Sequence, residues 1–442
     1  MALGALCIGT ASGSEPRPNF LLISIDTLRA DHLGAYGYER PTSPNLDAFA
    51  AGGVLFENAL AQSPWTLPSH ASLLTGLYTT GHGIRDDHHV LARSTPVLTE
   101  LMGKAGYRTG AIVNTLYLLP RTGIVRLVEY LRYYRWIEAR KRVLSIDREI
   151  DDAIEFMSMR DARPFFLLLH TYDVHSDYAP AAEFLALFER PYSGSIDGRS
   201  STLAGVKRGW RAVEDADIEH LVDLYDAAIR QLDNRLQRLF AHLETSGLGA
   251  NTLVIIVSDH GEEFMEHGNV LHGRTLFGEM LRVPLIVRGP GVPSGVRVKR
   301  VTPLVDVAPT ILARAGVEPP QPLHGRDLTP IWSNPDPSQE PGVAFAEADP
   351  RRLSKTDRLS LTGIRRGRFK LIYDRDRERT RLYDVEADPG EVQSISRNDP
   401  ALERELLSLI REHRRSPGPA TTQRELDASE IELLRALGYV DR

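Results

Sequence analysis

Residues 19–26 read NFLLISID, an apolar run that ends in a carboxylate. Four further segments share this apolar character, namely TGAIV (109–113), PFFLLLH (164–170), NTLVIIVSDHG (251–261) and VPLIVRG (283–289). Nearly continuous apolar strands are typical of a parallel sheet that is covered on both faces. Helical patterns lie between these runs, for example over 217–244. The alternation predicts an α/β fold built on a mainly parallel sheet.

The pattern changes after about residue 330. Residues 333–342 read SNPDPSQEPG, a composition typical of a linker. Short alternating strands with charged turns follow over 361–391, and helical patterns cover 400–415 and 426–440. We therefore predict a main domain over 19–332 and a smaller C-terminal subdomain over 343–442, with an antiparallel sheet and helices.

Composition excludes some classes of function. The chain has 442 residues and a net charge of −6, which argues against nucleic-acid binding, since that needs a basic face. Cys7 is the single cysteine, so no intramolecular disulfide can form. No run approaches the roughly 20 apolar residues of a membrane span. The sequence carries no signal for an oligomeric state.

Residues 1–18 are apolar, then small, then polar. Three interpretations are open: a start codon assigned too late, a trimmed export signal, or a frayed tail. We favour export, which places the protein in the periplasm or outside the cell. A lipid anchor on Cys7 is the weaker idea, because Leu6 precedes it where a small residue is expected.

Residues 121–142 form a basic segment with seven Arg or Lys, two Glu and interleaved aromatic residues. We predict an insertion helix. The favoured interpretation is a solvated basic face. The alternative is a surface helix or lid that contacts a membrane peripherally or meets an anionic substrate.

Polar residues follow several of the predicted strands. Asp26 ends one strand, His170 another, and Asp259 and His260 a third. In open α/β sheets, sites gather beyond the carboxyl ends of the strands. Adjacent Asp and His supply oxygen and nitrogen ligands, which suit zinc or manganese better than calcium. Taken singly, each of these residues is as well explained by a cap or a turn.

Thr66 lies in SPWTLPSHASLLTG (63–76), where a broken loop meets a helical pattern. The simple interpretation is a helix N-cap. The alternative is a nucleophile, because a hydroxyl at a helix start beside a metal loses its proton more easily. His175 and His272 could protonate a leaving group or bind the oxygens of an anion, although each alone suits a structural histidine.

Together these motifs resemble the sulfatase family of the alkaline-phosphatase superfamily. The order is Asp26 after a strand, TLPSHASLLTG, DVHSDY, SDHGE, RVPLIVRGPG, DVAPTIL and LYDVEADPGE, and the resemblance runs from about residue 18 to the C-terminus. It implies an α/β/α sandwich with a smaller C-terminal subdomain of sheet and helix, and an anionic ester as substrate.

The resemblance also implies roles for individual residues. It implies a site for one divalent metal ion, a nucleophile that also contacts this metal, catalytic histidines and substrate-binding residues. The metal ligands are Asp26, Asp259, His260 and Thr66; the catalytic residues are Thr66, His175 and His272; the substrate-binding residues are His70 and Arg274. A second metal held by Asp173, His175 and His272 is the minority interpretation.

Three positions depart from the sulfatase pattern. Thr66 replaces the cysteine that becomes formylglycine, Thr27 replaces a second aspartate, and His260 replaces an asparagine. The first change excludes a hydrated-aldehyde mechanism, and the other two favour zinc or manganese. They point to the phosphodiesterase and phosphoethanolamine or phosphoglycerol transferase branches. We expect a metal-dependent hydrolase or transferase of a phosphate-type ester; the alternatives are a sulfatase without formylglycine and a non-catalytic binding protein.

Overall fold

A computed structural model describes residues 17–134, 145–334, 341–349, 359–415, 418 and 421–436. Cys7 and the rest of 1–16 lie outside the described residues. Within the described ranges, the main sheet has eight strands: β1 Asn19–Ile25, β2 Val54–Leu60, β3 Arg108–Val113, β4 Tyr130–Tyr133, β5 Phe165–Thr171, β6 Thr252–Val257, β7 Leu285–Arg288 and β8 Val296–Pro303.

The strand order is β8-β2-β7-β6-β1-β5-β3-β4. β7 runs antiparallel to both of its neighbours, β2 and β6, and the other pairings are parallel. The prediction of a mainly parallel sheet is therefore confirmed. β1 lies between β5 and β6, so the ends of these three strands are neighbours.

Both faces of the sheet are buried, which explains the continuous apolar run of β1. Phe20 and Leu22 point into one core, while Leu21 and Ile23 point into the other, and all four are at most 1% exposed. Successive side chains of a strand point to opposite faces, so a strand with a core on each face needs an apolar residue at every position.

Helices form the two outer layers, as expected for an α/β/α sandwich. In chain order they are α1 Pro44–Ala51, α2 Thr66–Thr75, α3 Leu98–Lys104, α4 Ser145–Ser158, α5 Ser200–Lys207, α6 Asp215–Thr245 and α7 Val307–Ala315, with short helices at Thr79–His82, Ala182–Leu185, Gly278–Leu281 and Thr329–Ser333. α2, α3 and α7 pack on one face, and α1, α4 and α6 on the other. No described helix is both long and apolar enough to cross a membrane.

The C-terminal subdomain is a four-stranded antiparallel sheet with a helix against it. The strands are β9 Val343–Ala348, β10 Leu361–Arg366, β11 Phe369–Asp374 and β12 Arg379–Asp384, in that order. Leu406 and Ile410 of α8 (Pro400–His413) pack on Leu371 and Leu382. α9 (Ala428–Ala436) returns to the main core through Leu434. This arrangement confirms the predicted class of the subdomain.

The prediction of a helix over 121–142 is wrong for its described part. Pro120–Thr122 is one 3-10 turn, and Tyr130–Tyr133 is the edge strand β4, paired in parallel with β3. Leu131 packs against one core and Tyr130 against the other, which is the alternation of a strand. Aromatic residues next to an open sheet edge favour pairing over a helix. Residues 135–142 lie outside the described residues.

Asp233 of α6 holds the start of α1 from a distance. Its carboxylate accepts hydrogen bonds from the backbone N–H groups of Asn45 (3.1 Å) and Leu46 (2.7 Å). Ser43, at the N-cap position of α1, makes no capping bond with its side chain. The buried carboxylate of Asp233 therefore acts as the N-cap of α1, although it belongs to another helix.

We expect Asp233→Ala to lower the free energy of unfolding by about 1–3 kcal/mol, because the buried N–H of Leu46 and the half-buried N–H of Asn45 lose their acceptor. Urea denaturation measures this. Asp151→Ala is the matched control, since Asp151 is exposed and pairs with Arg238 at the surface. Its loss is expected to stay below about 1 kcal/mol. Equal losses in the two variants would contradict the role of Asp233.

Candidate active site

The candidate site lies at the carboxyl ends of β1, β5 and β6. Asp26 follows β1, His170 stands near the end of β5, and Asp259 and His260 follow β6. Because these strands are neighbours, their ends bring residues that are far apart in sequence to one edge of the sheet. All four side chains are completely buried.

Asp26, Asp259 and His260 form a group that fits a divalent cation. One ligand atom from each lies within 4.8 Å of the others. Asp26 Oδ1 and Asp259 Oδ2 are buried and accept no hydrogen bond. Burial, and then the charges of Asp259 and Glu262, raise the pKa of Asp26 well above its usual value. Buried carboxylates this close together need a positive partner, and a metal ion supplies one.

The hydrogen bond that His260 makes through Nδ1 leaves Nε2 as the ring nitrogen that can bind a metal. Nδ1 lies 2.9 Å from the carbonyl oxygen of Gly261, which can only accept, so Nδ1 carries the proton. Nε2 then holds the lone pair in the neutral ring, and it lies 3.4 Å from Asp259 Oδ2. A metal-binding histidine is commonly oriented in this way through its other nitrogen.

Thr66 is the first residue of α2, as expected, but its hydroxyl is not the helix cap. Trp65 occupies the N-cap position, and its side chain makes no capping bond. Thr66 Oγ1 instead lies 3.4 Å from Asp26 Oδ2 and 3.3 Å from His260 Nε2. The N-cap interpretation is therefore wrong, and the hydroxyl belongs to the group of candidate metal ligands.

His70 lies behind this group. Its Nε2 is 2.9 Å from Ser24 Oγ, and its Nδ1 is 2.9 Å from the carbonyl oxygen of Thr66 and 3.3 Å from Asp259 Oδ2. Both ring nitrogens are thus engaged by the chain. This geometry supports a role in positioning Asp259 and Thr66, and it offers no ring nitrogen for the predicted contact with substrate.

His175 and His272 stand together beside the group. Their ring centroids are 5.0 Å apart, and the centroid of His272 is 4.6 Å from that of His260. His175 Nδ1 donates to the carbonyl oxygen of Ser176 at 2.5 Å. Burial, and then the neighbouring His272, lower the pKa of His175 to about 3. His175 is therefore neutral at physiological pH.

Glu262 is a residue of the site that the sequence analysis missed. It is buried, accepts a hydrogen bond from His272 Nδ1 at 2.9 Å, and accepts another from the hydroxyl of Tyr178 at 2.8 Å. Its position directly after Asp259, His260 and Gly261 was the available signal. Lys207 was missed as well; its Nζ donates to the carbonyl oxygen of His272 at 2.8 Å from a helix that no motif marks.

Arg274 is half-buried and donates from Nη1 to Asn269 Oδ1 at 3.2 Å. Its predicted contact with substrate stays a prediction. The alternative metal site of Asp173, His175 and His272 does not appear among the convergent ligand groups of the described residues.

Comparisons with known proteins identify the family to which the chain is similar. The family model described as Sulfatase covers residues 18–317, and the C-terminal model of N-sulphoglucosamine sulphohydrolase covers 265–414. N-acetylglucosamine-6-O-sulfatase of Bacteroides thetaiotaomicron is 25% identical over 92% of this chain and 88% of its own. The multifunctional alkaline phosphatase superfamily protein PehA of Trinickia caryophylli is 26% identical over 90% of this chain and 94% of its own.

Solved structures share the fold. The phosphonate monoester hydrolase of Agrobacterium radiobacter superposes with a TM-score of 0.74 at 22% identity, covering 93% of this chain and all (100%) of its own. A structure in complex with its substrate D-glucosamine-2-N,6-O-disulfate superposes with a TM-score of 0.76 at 22% identity, covering 90% of this chain and 98% of its own. The chain belongs to the sulfatase family and is an ester hydrolase of the alkaline-phosphatase superfamily.

Proposed function

We propose that the protein cleaves a phosphate-type ester with Thr66 as the nucleophile. The contact of Thr66 Oγ1 with both Asp26 Oδ2 and His260 Nε2 is the observation that carries the proposal. It puts a hydroxyl at the start of a ten-residue helix and beside the candidate metal ligands. Backbone N–H groups at a helix start attract anions, so the position suits both the nucleophile and the ester that it attacks.

Asp26, Asp259, His260 and Thr66 would hold one divalent ion. The oxygen and nitrogen donors favour zinc or manganese over calcium. Such an ion, when bound, lowers the pKa of the Thr66 hydroxyl and offsets charge on the phosphoryl oxygens. His70 supports the group from behind, because it reaches both the Thr66 carbonyl and Asp259.

The reaction forms one bond and breaks one bond in each half. In the first half, the Thr66 hydroxyl gives up its proton to solvent, its Oγ1 bonds to phosphorus, and the ester oxygen departs with its electron pair and takes a proton from His272. In the second half, water or an acceptor alcohol gives a proton back to His272 as it bonds to phosphorus, and the Thr66 oxygen departs and regains its proton from solvent. The first acceptor gives hydrolysis and the second gives transfer.

We assign the proton donor for the leaving group to His272. Glu262 engages Nδ1, so Nε2 is the nitrogen that exchanges a proton with the substrate. Tyr178 fixes the other oxygen of Glu262, which holds this pair in one orientation. His175 is the poorer donor because its low pKa leaves it neutral. We place it against the substrate oxygens.

Sulfate ester hydrolysis is the second candidate. Two named relatives that match about nine-tenths of the chain are sulfatases, N-acetylglucosamine-6-O-sulfatase and Delta 4,5-hexuronate-2-O-sulfatase. The departure at Thr66 argues against it, since a sulfate ester of threonine lacks the second hydroxyl through which a formylglycine hydrate expels sulfate. A phosphonate monoester hydrolase shares the same fold, so the fold is compatible with a phosphorus ester as well as with a sulfate ester.

We expect Thr66→Ala to lower kcat by about 10³-fold or more, while at saturating metal the catalytic group still holds its ion through the three remaining ligands, Asp26, Asp259 and His260. Thr66→Ser keeps the hydroxyl and is the matched control, with an expected loss of about tenfold or less. Aryl phosphate, phosphodiester, phosphonate and sulfate esters are assayed in parallel on metal-loaded protein. Full activity of the alanine variant would exclude the nucleophile, and a sulfatase rate that exceeds the others by orders of magnitude would exclude the phosphorus preference.

We expect His272→Gln to lower kcat/KM by about 10²- to 10⁴-fold for alkyl esters. For 4-nitrophenyl esters, whose leaving group needs no proton, the loss should be about tenfold or less. His175→Gln is the comparison variant and should show a similar loss for both substrates. If the dependence on the leaving group appears in His175→Gln instead, the donor is His175.

We expect Asp26→Asn to abolish metal binding at the catalytic group but not to destabilise the metal-free protein. Its unfolding temperature should equal or exceed that of the metal-free wild type, because a buried charge is removed. Manganese or zinc should raise the unfolding temperature of the wild type more than that of the variant. A variant that unfolds at a markedly lower temperature without metal would show that Asp26 has a structural role instead.

A further inference from the structure

A second group of candidate metal ligands lies outside the proposed catalytic site. One ligand atom from each of Glu263, His267 and Glu279 lies within 4.8 Å of the others. Glu263 belongs to a short pairing of 263–264 with 270–271. Successive side chains of an extended segment point to opposite sides, so Glu262 faces His272 while Glu263 faces the second group. We call these three residues the Glu263 cluster.

Glu263 is a buried carboxyl group without a partner. It is 1% exposed, and neither of its oxygens accepts a hydrogen bond. The nearby hydroxyl of Thr275 lowers the pKa of Glu263, but it forms no well-aligned hydrogen bond with either carboxyl oxygen. Buried carboxyl groups are normally paired or bound to a metal, because desolvation is costly. The missing partner of Glu263 is therefore a positive charge or a proton.

The other two residues of the cluster are fixed in place and reachable from solvent. His267 Nδ1 lies 2.5 Å from Glu279 Oε1, and the His267 ring stacks on Phe277 with centroids 3.5 Å apart. Their side chains are 14% and 8% exposed, which leaves an approach for a small ion. His267 Nε2 donates to the carbonyl oxygen of Glu391 in the C-terminal subdomain at 3.4 Å, so Nδ1, whose present contact is the second candidate ligand Glu279, is the nitrogen that would bind an ion.

The negative charges around Glu263 favour the binding of a cation beside its carboxyl group. Burial, and then the charge of Glu279, raise the pKa of Glu263 to about 8, and Glu266 adds to this effect. Lys207 opposes it, but the ammonium group of Lys207 is bonded to the carbonyl oxygen of His272. At neutral pH a metal ion can displace the proton of such a carboxyl group.

We propose that the Glu263 cluster binds a second divalent cation, separate from the one at Asp26, Asp259 and His260. Two carboxylates and one imidazole suit zinc or manganese. The ion would join the segment that carries Glu262 and His272 to the C-terminal subdomain, because His267 also contacts Glu391. This role is structural and does not depend on the reaction proposed above.

Metal stoichiometry tests the proposal. The full-length protein is stripped with a chelator, loaded with MnCl₂ or ZnCl₂, desalted and analysed for metal. We expect two ions per chain in the wild type and one ion in Glu263→Gln. Asp259→Asn should also hold one ion, and the double variant none. Glu266→Gln is the matched control, because this neighbouring carboxylate pairs with Arg29, and it should keep both ions.

Unfolding temperature gives a second measurement. In Asp259→Asn, which keeps only the Glu263 cluster, either metal should raise the unfolding temperature by at least about 2 °C. Adding Glu263→Gln or Glu279→Gln should remove that rise. Two variants are used so that poor folding of one still leaves a test.

The outcomes separate the two sites. One ion in the wild type that Glu263→Gln keeps and Asp259→Asn loses would overturn the second site and leave the catalytic site intact. Two ions that Asp259→Asn fails to reduce would instead count against the catalytic metal site. Without metal, Glu263→Gln should unfold no earlier than the wild type, because glutamine carries no charge to bury.

Discussion

Two buried aspartates beside the ends of adjacent strands set the main constraint on this structure. Asp26 and Asp259 follow β1 and β6, and each has an oxygen that accepts no hydrogen bond. Negative charge in a dry setting is tolerated only near compensating charge. The neighbouring side chains are arranged around this need: His260 offers a lone pair, His70 lies against Asp259, and His170 Nε2 lies 3.2 Å from Asp26 Oδ2.

The sheet holds the two aspartates close together by fixing the backbone that carries them. β1 has a core on each face and hydrogen-bonded strands on each side, so the backbone that carries Asp26 has little freedom to relax. α2 is also wholly buried, which fixes Thr66 with respect to the aspartates. The rigidity of the scaffold therefore preserves a local arrangement that is unfavourable by itself.

Sequence alone predicts the parts that depend on local pattern. Apolar runs that end in Asp26 or Asp259 indicate both the parallel strands and the edge where polar residues meet. The start of α2 at Thr66 can be predicted, because a loop pattern changes to a helical pattern after Pro64. The role of the Thr66 hydroxyl cannot be predicted in this way, because its contact with His260 joins residues that are far apart in sequence. Glu262 and Lys207 were missed for the same reason.

The error over 121–142 has a different cause. Tyr130 and Leu131 alternate between two cores that exist only once the sheet has formed, so a count of basic residues cannot reveal the strand. His70 illustrates a third limit. A motif position indicates that a residue belongs near the site, but it does not tell which of its neighbours take up the ring nitrogens.

The antiparallel direction of β7 has a consequence for how such a protein diversifies. β6 and β7 are neighbours, so residues 258–284 form one long excursion whose two ends are pinned side by side. Lengthening a loop with fixed ends costs little, on the order of 0.6 kcal/mol for each doubling of its length. Insertions between His272 and the start of β7 can thus change the surroundings of the site while Asp259 and His260 stay anchored at the end of β6. The catalytic metal ligands on β6 and the residues around a substrate can then change independently of each other.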